Sequence, residues 1–101
     1  MAAKLTRLEG EFHEAAVLDA FAREGLSPHR WSNGPGDVYA PHQHAYHKVL
    51  YCLRGSIAFR MTATGDEISL APGDRLDIEP GTEHGAVVGA SGVACIEAAR
   101  A

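Results

Sequence analysis

At 101 residues, 46% hydrophobic and 22% charged, the chain has the length and composition of one globular domain with a modest core. A net charge of −4 with no run of like charges excludes a general phosphate-backbone binder, so no nucleic-acid partner is expected. No apolar stretch is long enough to cross a membrane, residues 1–10 hold no apolar signal core, and Cys52 and Cys95 make no disulfide framework. These features predict a cytoplasmic protein with reduced thiols and no membrane partner.

The first predicted element is a helix over residues 11–24. Phe12, Ala15, Ala16, Val17, Leu18, Phe21 and Ala22 supply a wide apolar stripe, and Glu9, Glu11 and Glu14 suit the positive end of the helix dipole. Gly25 followed by Leu26 has the form of a C-terminal glycine cap, and Pro28 prevents continuation. A helix this short is not stable alone, so its stripe must pack on the rest of the chain or on a partner subunit.

From Arg30 onward the pattern changes to short strands with turns between them. Gly34-Pro35-Gly36 is a turn. Residues 47–53 form a strand ended by Arg54-Gly55. Ile57, Phe59 and Met61 alternate on one face of the next segment, and Thr64-Gly65-Asp66 signals a hairpin. Ile68 and Leu70 mark another strand, then Leu76 and Ile78, with turns at residues 71–74 and at Pro80-Gly81. Residues 84–88 and 93–98 close the set, separated by Gly89 to Gly92. Short, regular strands of this kind predict a sandwich or barrel. The segment 47–53 is apolar on both faces, with Leu50 and Cys52 on one and Val49, Tyr51 and Leu53 on the other. It must therefore be covered twice, and a second sheet, the helix or another subunit are the available covers.

The chemistry-bearing pattern lies across this region. It runs Gly36, five residues, His42-Gln43-His44, three residues, Lys48, six residues, Gly55. A second block runs Gly73, five residues, Glu79-Pro80-Gly81, two residues, His84. Side chains two apart on an extended segment point the same way, so His42 and His44 share a face. His84, following a Pro-Gly turn, can close on them from a neighbouring strand. Three neutral imidazoles converging in a barrel can hold a divalent metal with open positions.

The two blocks resemble the signature motifs of the cupin family, and the resemblance covers about the last two-thirds of the chain. Lys48 stands where the family has a glutamate, Glu79 where it has proline, and Val88 where it has asparagine. The resemblance implies an all-β double-stranded β-helix, or jelly-roll, barrel carrying one N-terminal α-helix. The expected division is a helical segment at 1–28 and a barrel at 29–101. It further implies a homodimer, a small-molecule ligand or substrate, and a divalent transition metal (iron, nickel, zinc, manganese or copper) on His42, His44 and His84.

Lys48 departs from that pattern. At about 5 Å and an effective dielectric near 20, an ammonium repels a divalent ion by roughly 6–7 kcal/mol. Three resolutions are open: Lys48 loses its proton, swings toward an acidic residue such as Glu97, or favours an anionic ligand over a bare metal. The second is the expected one. His47 replaces the missing ligand only if a bulge turns it inward, because parity places it outward. Glu97 reads as a partner for Lys48, a general base or a solvated strand residue. Lys48 and Glu97 are the candidate catalytic residues. His13 and His29 read as structural, Trp31, Tyr39 and Phe59 as core or barrel-lining aromatics, Tyr46 as a packing residue, Asp74 as a turn residue and Arg60 as a surface arginine.

A cupin with three histidines and no glutamate resembles the three-histidine oxygenases, such as thiol dioxygenases. That implies a metal-dependent enzyme on a small, anionic organic substrate. The alternatives are a metal- or ligand-binding sensor module without turnover, and a metal-free barrel whose His42, His44 and Lys48 form an anion pocket.

Overall fold

The structure, a computed structural model, describes residues 2–100. Its elements in chain order are β1 (Ala3–Thr6), α1 (Glu14–Arg23), β2 (His29–Asn33), β3 (Val38–His42), β4 (His47–Met61), β5 (Glu67–Leu70), β6 (Arg75–Ile78) and β7 (His84–Arg100). All pairings are antiparallel, in the order β1-β6-β4-β7-β2, with β5 also on β4 and β3 also on β7. The long strands β4 and β7 form a ribbon from His47↔Arg100 to Met61↔His84. One half of β4 carries β6 and the other half β5. One half of β7 carries β2 and the other β3. This is the all-β barrel with one helix that the strand pattern and the motifs imply.

The ribbon corrects one reading of the sequence. Gly55 and the Gly89–Gly92 segment, taken as strand ends, are bends within continuous strands. The ladder shifts register around Cys52–Arg54 and Gly55–Ile57. Gly55 has φ +74°, and a Cβ there would sit 2.0 Å from the Gly92 carbonyl oxygen. Only glycine permits both that dihedral and that approach, so the two strands cross tightly and turn without ending.

Two apolar clusters follow from the two-faced strand. Leu50 and Cys52 lie inside the barrel with Ile57, Phe59, Leu70, Leu76, Ile78, Val88, Val93 and Cys95. Val49 lies on the opposite face against Val17 and Phe21 of α1, with Ile96 and Ala98, and Tyr51 and Leu53 pack at its margin. The helix therefore supplies the outer cover. Its end has the expected glycine cap: Gly25, at φ +71°, donates to the Ala22 carbonyl, and Leu26 N–H donates to the Phe21 carbonyl at 3.0 Å. Arg75 then joins Glu24 at the helix end to Asp77 on the sheet, through Nη2–Oε1 at 3.0 Å and Nε–Oδ1 at 2.7 Å.

The strand β1 has no counterpart in the sequence reading. Four residues are too few to show a period, and pairing with β6 defines the element. Asp74 ties the following segment down. Its buried carboxylate accepts from the backbone N–H of Leu8 (3.0 Å) and of Ala71 (2.9 Å) and from Arg7 (2.7 Å). Asp74 thus fixes its turn, as expected, and also anchors a segment 66 residues away. Burial acts to raise its pKa, but these donors outweigh burial and hold it below the ordinary 3.8. A depressed carboxyl stabilises the fold above its unfolded pKa and loses that contribution as pH falls through the folded value. Wild-type stability is therefore expected to drop more steeply below about pH 4 than that of Asp74→Asn, which starts roughly 2 kcal/mol less stable at neutral pH. Urea titrations across pH 2–7 (an order-of-magnitude window around the carboxyl range) check this; parallel acid limbs in the two proteins would contradict it.

Candidate metal centre

The pairing of β3 with β7 places His42 directly opposite His84. A Cβ on Gly85 would meet the Tyr39 carbonyl oxygen at 2.9 Å, so the glycine after His84 lets the two strands draw close. His44 lies just beyond β3, where its carbonyl accepts from Gly81 N–H at 2.8 Å. That bond fixes the H-x-H loop to the Pro80-Gly81 turn preceding His84. The three rings consequently converge, with centroids 4.6 Å apart for His42–His84, 4.9 Å for His42–His44 and 5.6 Å for His44–His84. One nitrogen from each ring lies within 4.8 Å of the others.

Backbone acceptors orient two of these rings. His42 Nδ1 lies 2.8 Å from the Ala40 carbonyl, and His84 Nδ1 lies 2.8 Å from the Thr82 carbonyl. A carbonyl only accepts, so Nδ1 carries the proton, and in a neutral ring of this tautomer Nε2 presents its lone pair. Nε2 of His44 and Nε2 of His84 are buried without any hydrogen-bond partner among the described residues. Burial lowers the pKa of His44, and the nearby charge of Lys48 lowers it further. Burial also lowers that of His84, against the opposing Thr82 bond. Neutral rings with unpartnered, convergent nitrogens are what a transition metal requires, so the residues fit a bound ion. Tyr46 stacks on His44 at 4.9 Å, and Phe59 stands 6.2 Å from His84.

A cavity of about 280 Å³ opens beside His42 and His84, lined also by His29, Trp31, Tyr39, Lys48, Phe59 and Glu97. Lys48 Nζ lies 3.5 Å from Glu97 Oε1, with both side chains nearly buried. Lys48 has therefore swung toward Glu97, the second of the three resolutions. Trp31 Nε1 donates to the same Oε1 at 2.7 Å. Glu97 Oε2 lies 3.9 Å from His29 Nε2. The cavity wall thus carries a paired ammonium–carboxylate couple.

His47 is not brought to this site. Its Nε2 bonds Asp77 at 2.8 Å on the outer face, as strand parity implies without a bulge. Arg60 is exposed and Tyr39 packs edge-on against Trp31 at 5.9 Å. His29, expected to be structural, lines the cavity, and Trp31 is linked to Glu97 although no motif marks that link. Both arise because β2 pairs with β7 in the register His29↔Glu97 and Trp31↔Cys95. No local spacing encodes a pairing across more than sixty residues (roughly, by the register).

The family model for the AraC-like ligand-binding domain matches residues 26–95, well over half of the chain. The chain belongs to this cupin family. This cupin is 44% identical over 55 residues to quercetin 2,3-dioxygenase of Bacillus subtilis (strain 168), a match covering 52% of the chain and 16% of that protein. It spans only about a sixth of that relative's length. Among solved structures it resembles an RmlC-like cupin from Shewanella frigidimarina NCIMB 400, with TM-score 0.63 and 25% identity over 75% of this chain and 67% of that one. It also resembles a polyketide cyclase from Streptomyces resistomycificus, with TM-score 0.67 and 20% identity over 97% of this chain and 66% of that one, a likeness of fold alone. Cupins and AraC-like ligand-binding domains bind small molecules, and cupins commonly bind divalent metals. In the described residues, no helix is long and apolar enough to cross a membrane.

Proposed function

We propose that this cupin binds a divalent transition metal through Nε2 of His42, His44 and His84 and acts as a metal-dependent, oxygenase-type enzyme on a small anionic organic substrate. The carrying observation is the pair of buried Nε2 atoms, without partners among the described residues, that converge with His42. Bound there, the ion supplies Lewis acidity and, when redox-active, one-electron chemistry. Iron, nickel, zinc and copper suit imidazole donors, whereas manganese favours harder oxygen donors.

The remaining roles belong to the cavity wall. Lys48 is 3.5 Å from its carboxylate partner and can exchange it for an anionic group of the substrate. That exchange leaves Glu97 held by Trp31 through Oε1, with Oε2 available to take a proton from the substrate. Trp31, Tyr39 and Phe59 give the cavity flat apolar walls that exclude water and orient a planar ligand. The match to a quercetin dioxygenase supports oxygen chemistry, and the absence of a glutamate at position 48 supports the three-histidine comparison. The same proposal places the chain in the cytoplasm as a homodimer, the free buried cysteines suiting a reducing compartment.

The family match favours one other reading, a ligand-binding module without turnover. Oxygen uptake separates the two. The metal-loaded protein is expected to consume oxygen with at least one member of a panel of thiols, diketones and phenols. A panel member that shifts the melting temperature without any oxygen uptake would favour the module.

A further inference from the structure

The chain's only two cysteines face each other across the β4–β7 ribbon. Cys52 and Cys95 are register partners, both free and both without any exposed surface. Cys52 N–H donates to the Asp74 carbonyl at 3.1 Å, and its own carbonyl accepts from Gly73 N–H at 2.8 Å. Both backbone groups therefore point toward the β6 side and away from β7. That makes Cys52–Cys95 a non-hydrogen-bonded antiparallel pair, the kind in which Cα atoms approach to about 4.5 Å and side chains lie closest. A disulfide accepts Cα separations of about 4.4–6.8 Å, a range that includes pairs of this kind. The ladder shifts register immediately after Cys52, which leaves slack where the bond must form. The Cys52 thiol lies 3.6 Å from the Arg54 carbonyl oxygen and 3.7 Å from that of Gly55, and the neighbouring Cys95 thiol, against burial, holds the Cys52 pKa below its ordinary value.

The pair lies behind the cavity wall. Trp31 is the register partner of Cys95 from β2, and Glu97 follows Cys95 by two residues, on the same face of β7. Any change in the Cys52–Cys95 separation is therefore passed to the tryptophan that holds Glu97.

We infer that Cys52 and Cys95 form a redox modification site, closing to a reversible intramolecular disulfide when the protein meets a hydroperoxide. Cys52, as thiolate, attacks the terminal peroxide oxygen. The O–O bond breaks, Cys52 becomes a sulfenic acid, and the alkoxide or hydroxide leaving group takes up the proton that Cys52 lost. The Cys95 sulfur then attacks the Cys52 sulfur. The S–O bond breaks, and hydroxide leaves as water with the Cys95 proton. In sum, two thiols and one hydroperoxide give one disulfide, one alcohol (or water) and one water. Because both sulfurs are sealed, the reaction waits on opening at the adjacent bulge and runs more slowly than at an exposed thiol.

The test uses the full chain, stripped of metal with a chelator, so that its result is independent of the three-histidine reading. After hydrogen peroxide treatment and denaturation in iodoacetamide, alkylatable thiols are expected to fall from two to none. The intact mass should drop by two hydrogen atoms, the chain should remain a monomer on a non-reducing gel, and dithiothreitol should restore both thiols. Fluorescence of the single tryptophan, Trp31, should fall in step with disulfide formation and recover on reduction. Cys95→Ser should stop at a Cys52 sulfenic acid that dimedone traps; if that variant does not fold, the wild-type mass and thiol count decide alone. Two thiols persisting after peroxide, conversion to sulfinic acid, or a disulfide only between chains would overturn the inference.

Discussion

Replacing His84 with alanine is expected to lower the affinity for divalent transition metal by at least about 10²-fold, beyond the 10–100-fold typical of losing an outer-shell partner. His84 is the most buried of the three rings and the one whose orientation is best determined. Thr82 holds its Nδ1, its Nε2 has no partner among the described residues, and strand pairing sets it against His42. Two imidazoles that remain do not make a facial site for a divalent ion. His84→Gln keeps a polar side chain of similar reach and controls for loss of fold. His47→Ala is the internal comparison, since His47 is bound to Asp77 on the outer face and should leave metal affinity unchanged. Isothermal titration with zinc or nickel reads all three. Equal weakening by His47→Ala and His84→Ala would mean that the metal binds somewhere other than in the barrel.

Lys48→Glu is expected to move two affinities in opposite directions. An unscreened ammonium at about 5 Å would oppose a divalent ion by roughly 6–7 kcal/mol, and Glu97, 3.5 Å from Lys48, offsets most of that. A carboxylate at position 48 adds a negative donor on the same inward face as His42 and His44. The expected gain in metal affinity is on the order of 10²-fold. The same change removes the cation available to an anionic substrate, so binding of carboxylate-bearing ligands should weaken by a comparable factor. Lys48→Met separates the contributions. It deletes the charge without adding a donor and leaves the nearly buried Glu97 without its ammonium partner, which should cost the metal-free protein about 3 kcal/mol of stability. If Lys48→Glu leaves both metal and anion binding unchanged, Lys48 takes no part in the site.

Much of the site was legible because its parts are local. His42 and His44 are two residues apart, Lys48 follows within a turn and a strand start, and His84 follows its own Pro-Gly turn. Strand parity placed Lys48 and Leu50 inward and His47 outward, and charge alone pointed Lys48 at Glu97. Spacing did not reveal the residues supplied by β2. Trp31 reaches Glu97 only because β2 pairs with β7, and a register between distant strands leaves no mark on local periodicity. The same limit hid β1 and the reach of Asp74 to Leu8. The two long strands look like four in sequence because a glycine has the same signature whether it ends a strand or bends one. Which it does depends on what lies close by, here the Gly92 carbonyl against Gly55.

All of the chemistry proposed for the cavity depends on a cation held by three imidazole nitrogens. The most direct measurement is elemental analysis of protein purified without a histidine tag, loaded with excess zinc, nickel or iron and freed of unbound ions by gel filtration. Wild type is predicted to retain one ion per chain, and His42→Ala/His44→Ala to retain essentially none. Wild type emerging without metal, or the double variant retaining as much as wild type, would contradict it.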